Sequence, residues 1–93
     1  MGPYDPQFIT LRIKSFAILR EIIGKEQVTV QLPRKDEGTC VADLRKRICE
    51  LYPKISTQNI PFGIAVNAKV ADERLIINDS DEIALLPPIS GGG

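Results

Sequence analysis

The residues best suited to chemistry stand at the end of the chain, in "LLPPISGGG" (Leu85–Gly93). Pro87 and Pro88 donate no N–H to a sheet and favour extended polyproline geometry, so they project the chain stiffly outward. Ser90, Gly91, Gly92 and Gly93 then offer the narrowest backbone available, with a carboxylate at its tip. Such a strand fits a channel that excludes bulkier sequence. The rest of the chain holds few candidates. It contains no histidine to act as a base, and no nucleophile elbow, phosphate loop or metal-ligand spacing. "NDSDE" (78–82) lacks the regular oxygen spacing of a calcium loop and reads as a solvated turn. Cys40 and Cys49 fall nine residues apart in a predicted helix. That spacing puts them on opposite faces, about 13 Å apart along the axis, beyond disulfide reach. No metal site is expected, and the thiols read as packing groups.

Composition narrows the function classes. Ninety-three residues fit one domain, and a hydrophobic content of 43% supports a globular core. Twelve basic and twelve acidic residues cancel, which argues against a general nucleic-acid binder. No stretch approaches the roughly 20 apolar residues of a membrane span. The start, "MGPYDPQ", lacks the basic and apolar regions of a secretory signal. Residues 1–7 are expected to form a loose arm, native or left by cloning, and the protein is expected to be cytoplasmic.

The elements that must position the tail follow from periodicity. "FITLRIKSF" alternates, with Ile9, Leu11 and Ile13 on one face, and predicts a half-buried strand. "AILREIIG" predicts a short helix through Ile18, Leu19, Ile22 and Ile23, stopped by Gly24. "EQVTVQLP" alternates again and ends at Pro33. "TCVADLRKRICELYP" is the clearest helix, with Thr39 as its expected cap, an apolar stripe of Val41, Leu44, Ile48 and Leu51, and Pro53 as its stop. A strand through Phe62, Ile64 and Val66, a tight turn at Asn67-Ala68, a short strand near 69–71 and a last strand in "EIALLPP" complete the order. One long helix over a mixed sheet of about five strands predicts an α+β roll of the β-grasp, ubiquitin-like class. The domain is expected to span 8–86 and the tail 87–93.

In the last strand Ile83 and Leu85 point inward, which turns Ala84 and Leu86 outward. In such a sheet the final strand lies beside the strand of Ile64 and Val66, so Ala65 is expected to join them in an exposed apolar patch. A contiguous patch of this kind marks a partner surface.

These stretches resemble a known family. "DEIALLPPISGG" (81–92) is similar to the C-terminus of the small subunit of molybdopterin synthase. "SFAILREIIGKEQVTVQLP", "TCVADLRKRICELYP" and "IAVNAKVADERLI" resemble its first strand and short helix, its long helix and its hairpin. The resemblance covers about residues 8 to 92. It implies a sulfur carrier with no bound cofactor and no active site of its own. Its terminal glycine would be adenylated, with ATP consumed by an E1-like adenylyltransferase and sulfurtransferase, and then converted to a thiocarboxylate. The large synthase subunit, in a heterotetramer, would use that sulfur to build molybdopterin from cyclic pyranopterin monophosphate. By the same motif Leu86, Pro87, Pro88 and Ile89 are docking residues, with Ser90 and Gly91 inserted behind them. The family register puts the reactive carboxylate on Gly92, leaving Gly93 surplus. The family has Gly at the position of Ser80, which would carry a strain cost if that residue needs positive φ. Alternative readings are a ubiquitin-like modifier that conjugates to lysines, a carrier for tRNA or thiamin thiolation, and a binding module with an inert tail.

Overall fold

The computed structural model describes residues 7–87. The chain runs β1 (Phe8–Ser15), α1 (Ala17–Ile23), β2 (Gln27–Pro33), α2 (Val41–Leu51), α3 (Pro53–Thr57), β3 (Gly63–Val66), β4 (Lys69–Val70) and β5 (Glu82–Leu86). The strands form one sheet in the order β2-β1-β5-β3-β4. β1 and β5 are parallel neighbours at its centre, and every other pairing is antiparallel. This is the β-grasp arrangement expected from the alternation of strands and helices.

Period-two alternation in β1, β2 and β5 buries Ile9, Leu11, Ile13, Val30, Leu32, Ile83 and Leu85 on one face of the sheet. α2 lays Val41, Leu44 and Ile48 on that face. Full burial of each such side chain is worth roughly 1.5–3 kcal/mol. α1 is short and contributes one fully buried residue, Leu19. Gly24 ends it at φ 85°, its N–H donating to the Arg20 carbonyl at 2.8 Å.

Two details of the helical segment differ from the sequence expectation. Cys40, not Thr39, is the N-cap of α2. Asp43 decides this, because its Oδ2 accepts the Cys40 N–H at 3.0 Å from the third helical position. The Thr39 hydroxyl instead donates to the Pro33 carbonyl (2.9 Å) and accepts from the Lys35 N–H (3.2 Å), stapling the β2–α2 loop. Pro53 does close α2, but it also opens α3, as a proline suits a first helical position. α3 brings Ile55 into the core, while Leu51 stays 41% exposed.

The carboxyl of Asp43 is held below the usual carboxylate range, first by the Cys40 N–H and next by the Lys35 ammonium at 2.6 Å. A lowered folded-state pKa gives stability that is present above the unfolded pKa of about 4 and lost as pH falls through the folded value. The difference in melting midpoint between the native chain and D43N should therefore be largest near neutral pH and vanish at the acid end. A difference that stays constant down to the acid end would show that charge is not involved.

Gly38 sits at φ +99°, and a Cβ there would approach Ile76 Cδ1 to 2.8 Å. Cys40 and Ile76 form an isolated β-bridge nearby, so the two segments cannot easily separate. G38A should cost about 1–3 kcal/mol and lower the melting midpoint by about 5–15 °C. An unchanged midpoint would mean the loop relaxes freely.

Candidate functional site

β5 organises the site, because it leads directly into the proline-glycine tail. Its N-terminal end is clamped by the hairpin before β4. Asn67 and Ala68 have φ of 52° and 71°, the pattern of a two-residue type I′ turn. The Asn67 N–H donates to the Glu82 carbonyl (2.8 Å), its Oδ1 accepts the Glu82 N–H (3.0 Å), and its Nδ2 donates to Asp81 Oδ1 (3.0 Å). Asn67 thus makes the turn and also sets the register of β5. The tight turn was legible in the sequence, whereas the clamp was not. An asparagine suited to positive φ, with Asp81-Glu82 downstream, is the signal that could have pointed to it.

The acidic turn before β5 is likewise occupied structurally. Asp81 Oδ2 accepts the Asn78 N–H at 2.8 Å. Asp79 accepts the Thr10 N–H (3.0 Å) and pairs with Arg34 (3.0 Å). Ser80 is not among the residues with positive φ, so its replacement of glycine carries no backbone strain there. Among the described residues no group of three or more His, Cys, Asp or Glu is placed to hold a metal ion, and no helix is long and apolar enough to cross a membrane.

Arg45 of α2 secures the entry to β3. It forks onto Glu73 through Nε and Nη2 (3.0 and 2.9 Å), donates from Nη1 to the Phe62 carbonyl (2.6 Å), and lies 4.6 Å from the Phe62 ring centroid. Bidentate guanidinium–carboxylate pairs of this kind are the strong ones. Gly63 follows Phe62 and stands directly opposite Leu86.

The outer face of the sheet follows from the register. Val70 pairs with Ala65, Ala65 with Ala84, and Ala84 with Lys14, making one row across four strands. The next row toward the tail holds Gly63 and Leu86. Ala84, Leu86 and Pro87 are half-buried. Ala65, expected to be exposed, is only 6% exposed and forms the floor of the row. Two residues that sequence reasoning missed extend the surface: Val70, 76% exposed, and Phe16, 45% exposed, one position beyond the Ser15–Leu85 pair. Isolated exposed apolar residues carry no signal in a sequence, and only the sheet register gathers these. Pro88, Ile89, Ser90, Gly91, Gly92 and Gly93 lie outside the described residues.

The parallel β1–β5 centre, the single long helix and the apolar outer rim of β5 define a ubiquitin-like β-grasp protein. Residues 13–92 match the model of the ThiS family. The chain belongs to that family. A molybdopterin synthase sulfur carrier subunit of Dictyostelium discoideum is 40% identical over 83 residues, covering 87% of this chain and 94% of the relative. A Pyrococcus furiosus protein taken to be subunit 1 of a molybdopterin converting factor superposes with a TM-score of 0.74 at 25% identity, over 87% of this chain and 99% of that one. SAMP1 from Haloferax volcanii superposes with a TM-score of 0.70 at 25% identity, over 89% and 99%.

Proposed function

We propose that this chain is the sulfur-carrying small subunit of a molybdopterin synthase. The tail carries the chemistry and the folded body aims it. Once hydrolysis of the Gly92–Gly93 peptide bond has released Gly93, the carboxylate of Gly92, the family-register terminus, attacks the α-phosphorus of ATP on an E1-like partner, forming an acyl-adenylate and releasing pyrophosphate. A sulfur donor then displaces AMP to give the thiocarboxylate. In the large subunit that sulfur passes to cyclic pyranopterin monophosphate, toward the dithiolene of molybdopterin. Leu86, Ala84, Val70 and Phe16 form the docking face, with Ala65 beneath and Pro87, Pro88 and Ile89 as the spacer. The chain itself holds no cofactor, and ATP is consumed by the partner. Assembly is a heterotetramer of two small and two large subunits, in the cytoplasm.

The observation that carries this reading is the likeness to the Dictyostelium carrier subunit through nearly its whole length, joined to a β5 whose register is pinned and whose outer face is apolar at Ala84 and Leu86, the end nearest the tail. The family match ends at residue 92, which supports Gly92 as the reactive position. Expression in cells lacking their own small subunit should restore molybdenum-enzyme activity, and a version without Gly92 and Gly93 should not. Restoration by the truncated chain would overturn the proposal.

The likeness to SAMP1, a small archaeal modifier protein, favours a second reading, in which the same activated carboxylate forms isopeptide bonds with lysines. Lysine-linked adducts of the chain in those same cells, lost with the two glycines, would support it.

A further inference from the structure

The opposite edge of the sheet carries a second surface, separate from the tail and from the reading above. β2 is an edge strand of seven residues, paired on one side only. Its alternation with β1 can be worked out from the bonds that flank it. The Arg34 N–H donates to the Gln7 carbonyl (2.8 Å) and the Ser15 N–H to the Glu26 carbonyl (3.0 Å). In an antiparallel ladder hydrogen-bonded pairs alternate with non-bonded ones. Val28, Val30 and Leu32 therefore turn their amides toward β1. Gln27, Thr29 and Gln31 turn both N–H and C=O to the open edge. Thr10, opposite Gln31, follows the same alternation, sending its N–H away from β2 to Asp79.

Proteins usually guard such edges with charge, proline or a covering segment. Here the three outward-facing positions are uncharged, and Pro33 stands only at the strand's end. Beside that edge lies a cavity of about 390 Å³, walled by Gln31, Leu32 and Pro33 of β2 and by Lys35, Lys46 and Arg47 from the loop and α2. Asp43 and Glu50 also line it. Asp43 is committed to Lys35 and to the Cys40 N–H. Glu50 reaches Arg47 at 3.7 Å, longer than a hydrogen bond, and the Arg47 Nε–H is buried without an acceptor. Lys46 is exposed and has no ion pair among the described residues. Among the described residues the groove thus has one unpaired cation, Lys46, and an Arg47 with an unused Nε–H beside the open edge of β2.

We infer that the β2 edge and the groove between β2 and α2 bind an extended, acidic peptide segment of a partner protein. The segment would add as a sixth strand against Gln27, Thr29 and Gln31, with carboxylates facing Lys46 and Arg47. Main-chain pairing of this kind supplies affinity, and alternate side chains supply specificity. A second copy of the chain supplies no such segment, because the outward positions of its own β2, Gln27, Thr29 and Gln31, carry no carboxylate.

The test uses a blocked peptide of alternating valine and glutamate, with a valine–lysine peptide as its charge opposite, added to the isotope-labelled full chain. The glutamate peptide should shift the amide signals of Gln27, Thr29 and Gln31 and slow their hydrogen exchange, while the lysine peptide should not. K46E should weaken the glutamate peptide about tenfold. T29P, which removes an edge donor and leaves the ladder to β1 intact, should abolish the exchange protection. Equal binding of both peptides, shifts confined to the Ala84–Leu86 face, or concentration-dependent pairing of the chain with itself at β2 would each overturn the inference. Complementation by K46E separates this surface from the sulfur-carrier role, because the substitution leaves the tail and the β5 face untouched.

Discussion

L86D should lose its binding to the large synthase subunit while keeping its fold. Leu86 lies on the outer face of β5, opposite Gly63, where a Cβ would stand 3.9 Å from that of Leu86. Gly63 therefore covers nothing, and the leucine side chain is left for a partner to bury. A carboxylate in its place would have to be desolvated without a counter-charge, and truncating or charging a central interface residue costs about 2–4 kcal/mol. That corresponds to about 30- to 700-fold weaker binding. A84D, in the adjoining row beside Lys14, should lose less, because the ammonium partly compensates. Isothermal titration against the large subunit reads both effects. The melting midpoint of L86D should move by no more than about 4 °C, since no core contact is lost. Wild-type affinity in L86D would remove this face from the interface.

The second large effect concerns a single glycine. Chains ending at Gly92 and at Gly93 differ by up to about 3.5 Å in the position of the reactive carboxylate. Displacements of about 1 Å can cost about a hundredfold in rate when attack depends on alignment. Pyrophosphate exchange on the activating enzyme should therefore favour the chain ending at Gly92 by at least about a hundredfold. Removing Gly92 as well should abolish exchange, because the carboxylate then falls short of the ATP. Substituting Gly91 by valine should also abolish it, by adding a branched side chain where the channel accepts bare backbone. Equal exchange by chains ending at Gly92 and Gly93 would mean that the tail slides, and that register does not select the reactive residue.

Much of this architecture was legible because burial imposes a period. β1 and β2 each carry a run of alternating residues long enough to separate strand from helix, and α2 carries Val41, Leu44 and Ile48 at helical spacing. Other features depend on long-range partners that local periodicity does not encode. Cys40 caps α2 because Asp43 reaches back to it, against the ordinary preference for threonine. Ala65 faces outward by alternation yet is buried by its neighbours, because exposure depends on strands distant in sequence. Val70 and Phe16 are unremarkable apolar residues until the register brings Val70 into the row of Ala84 and Phe16 to the end of β5. The Asn67 clamp joins residues 15 positions apart and is visible only once β3 and β5 are neighbours. From Pro88 onward the tail lies outside the described residues, and its proposed role rests on the run of prolines and glycines together with the family resemblance.

The central claim is that the C-terminal glycine carries activated sulfur, and intact mass spectrometry of the chain purified from its native cells tests it most directly. The account predicts a species ending at Gly92 and heavier by about 16 Da than the carboxylate form, one oxygen replaced by sulfur. That increment should disappear after alkylation and mild hydrolysis of the thiocarboxylate. A chain that carries only an ordinary carboxylate in cells actively making molybdopterin would contradict the account.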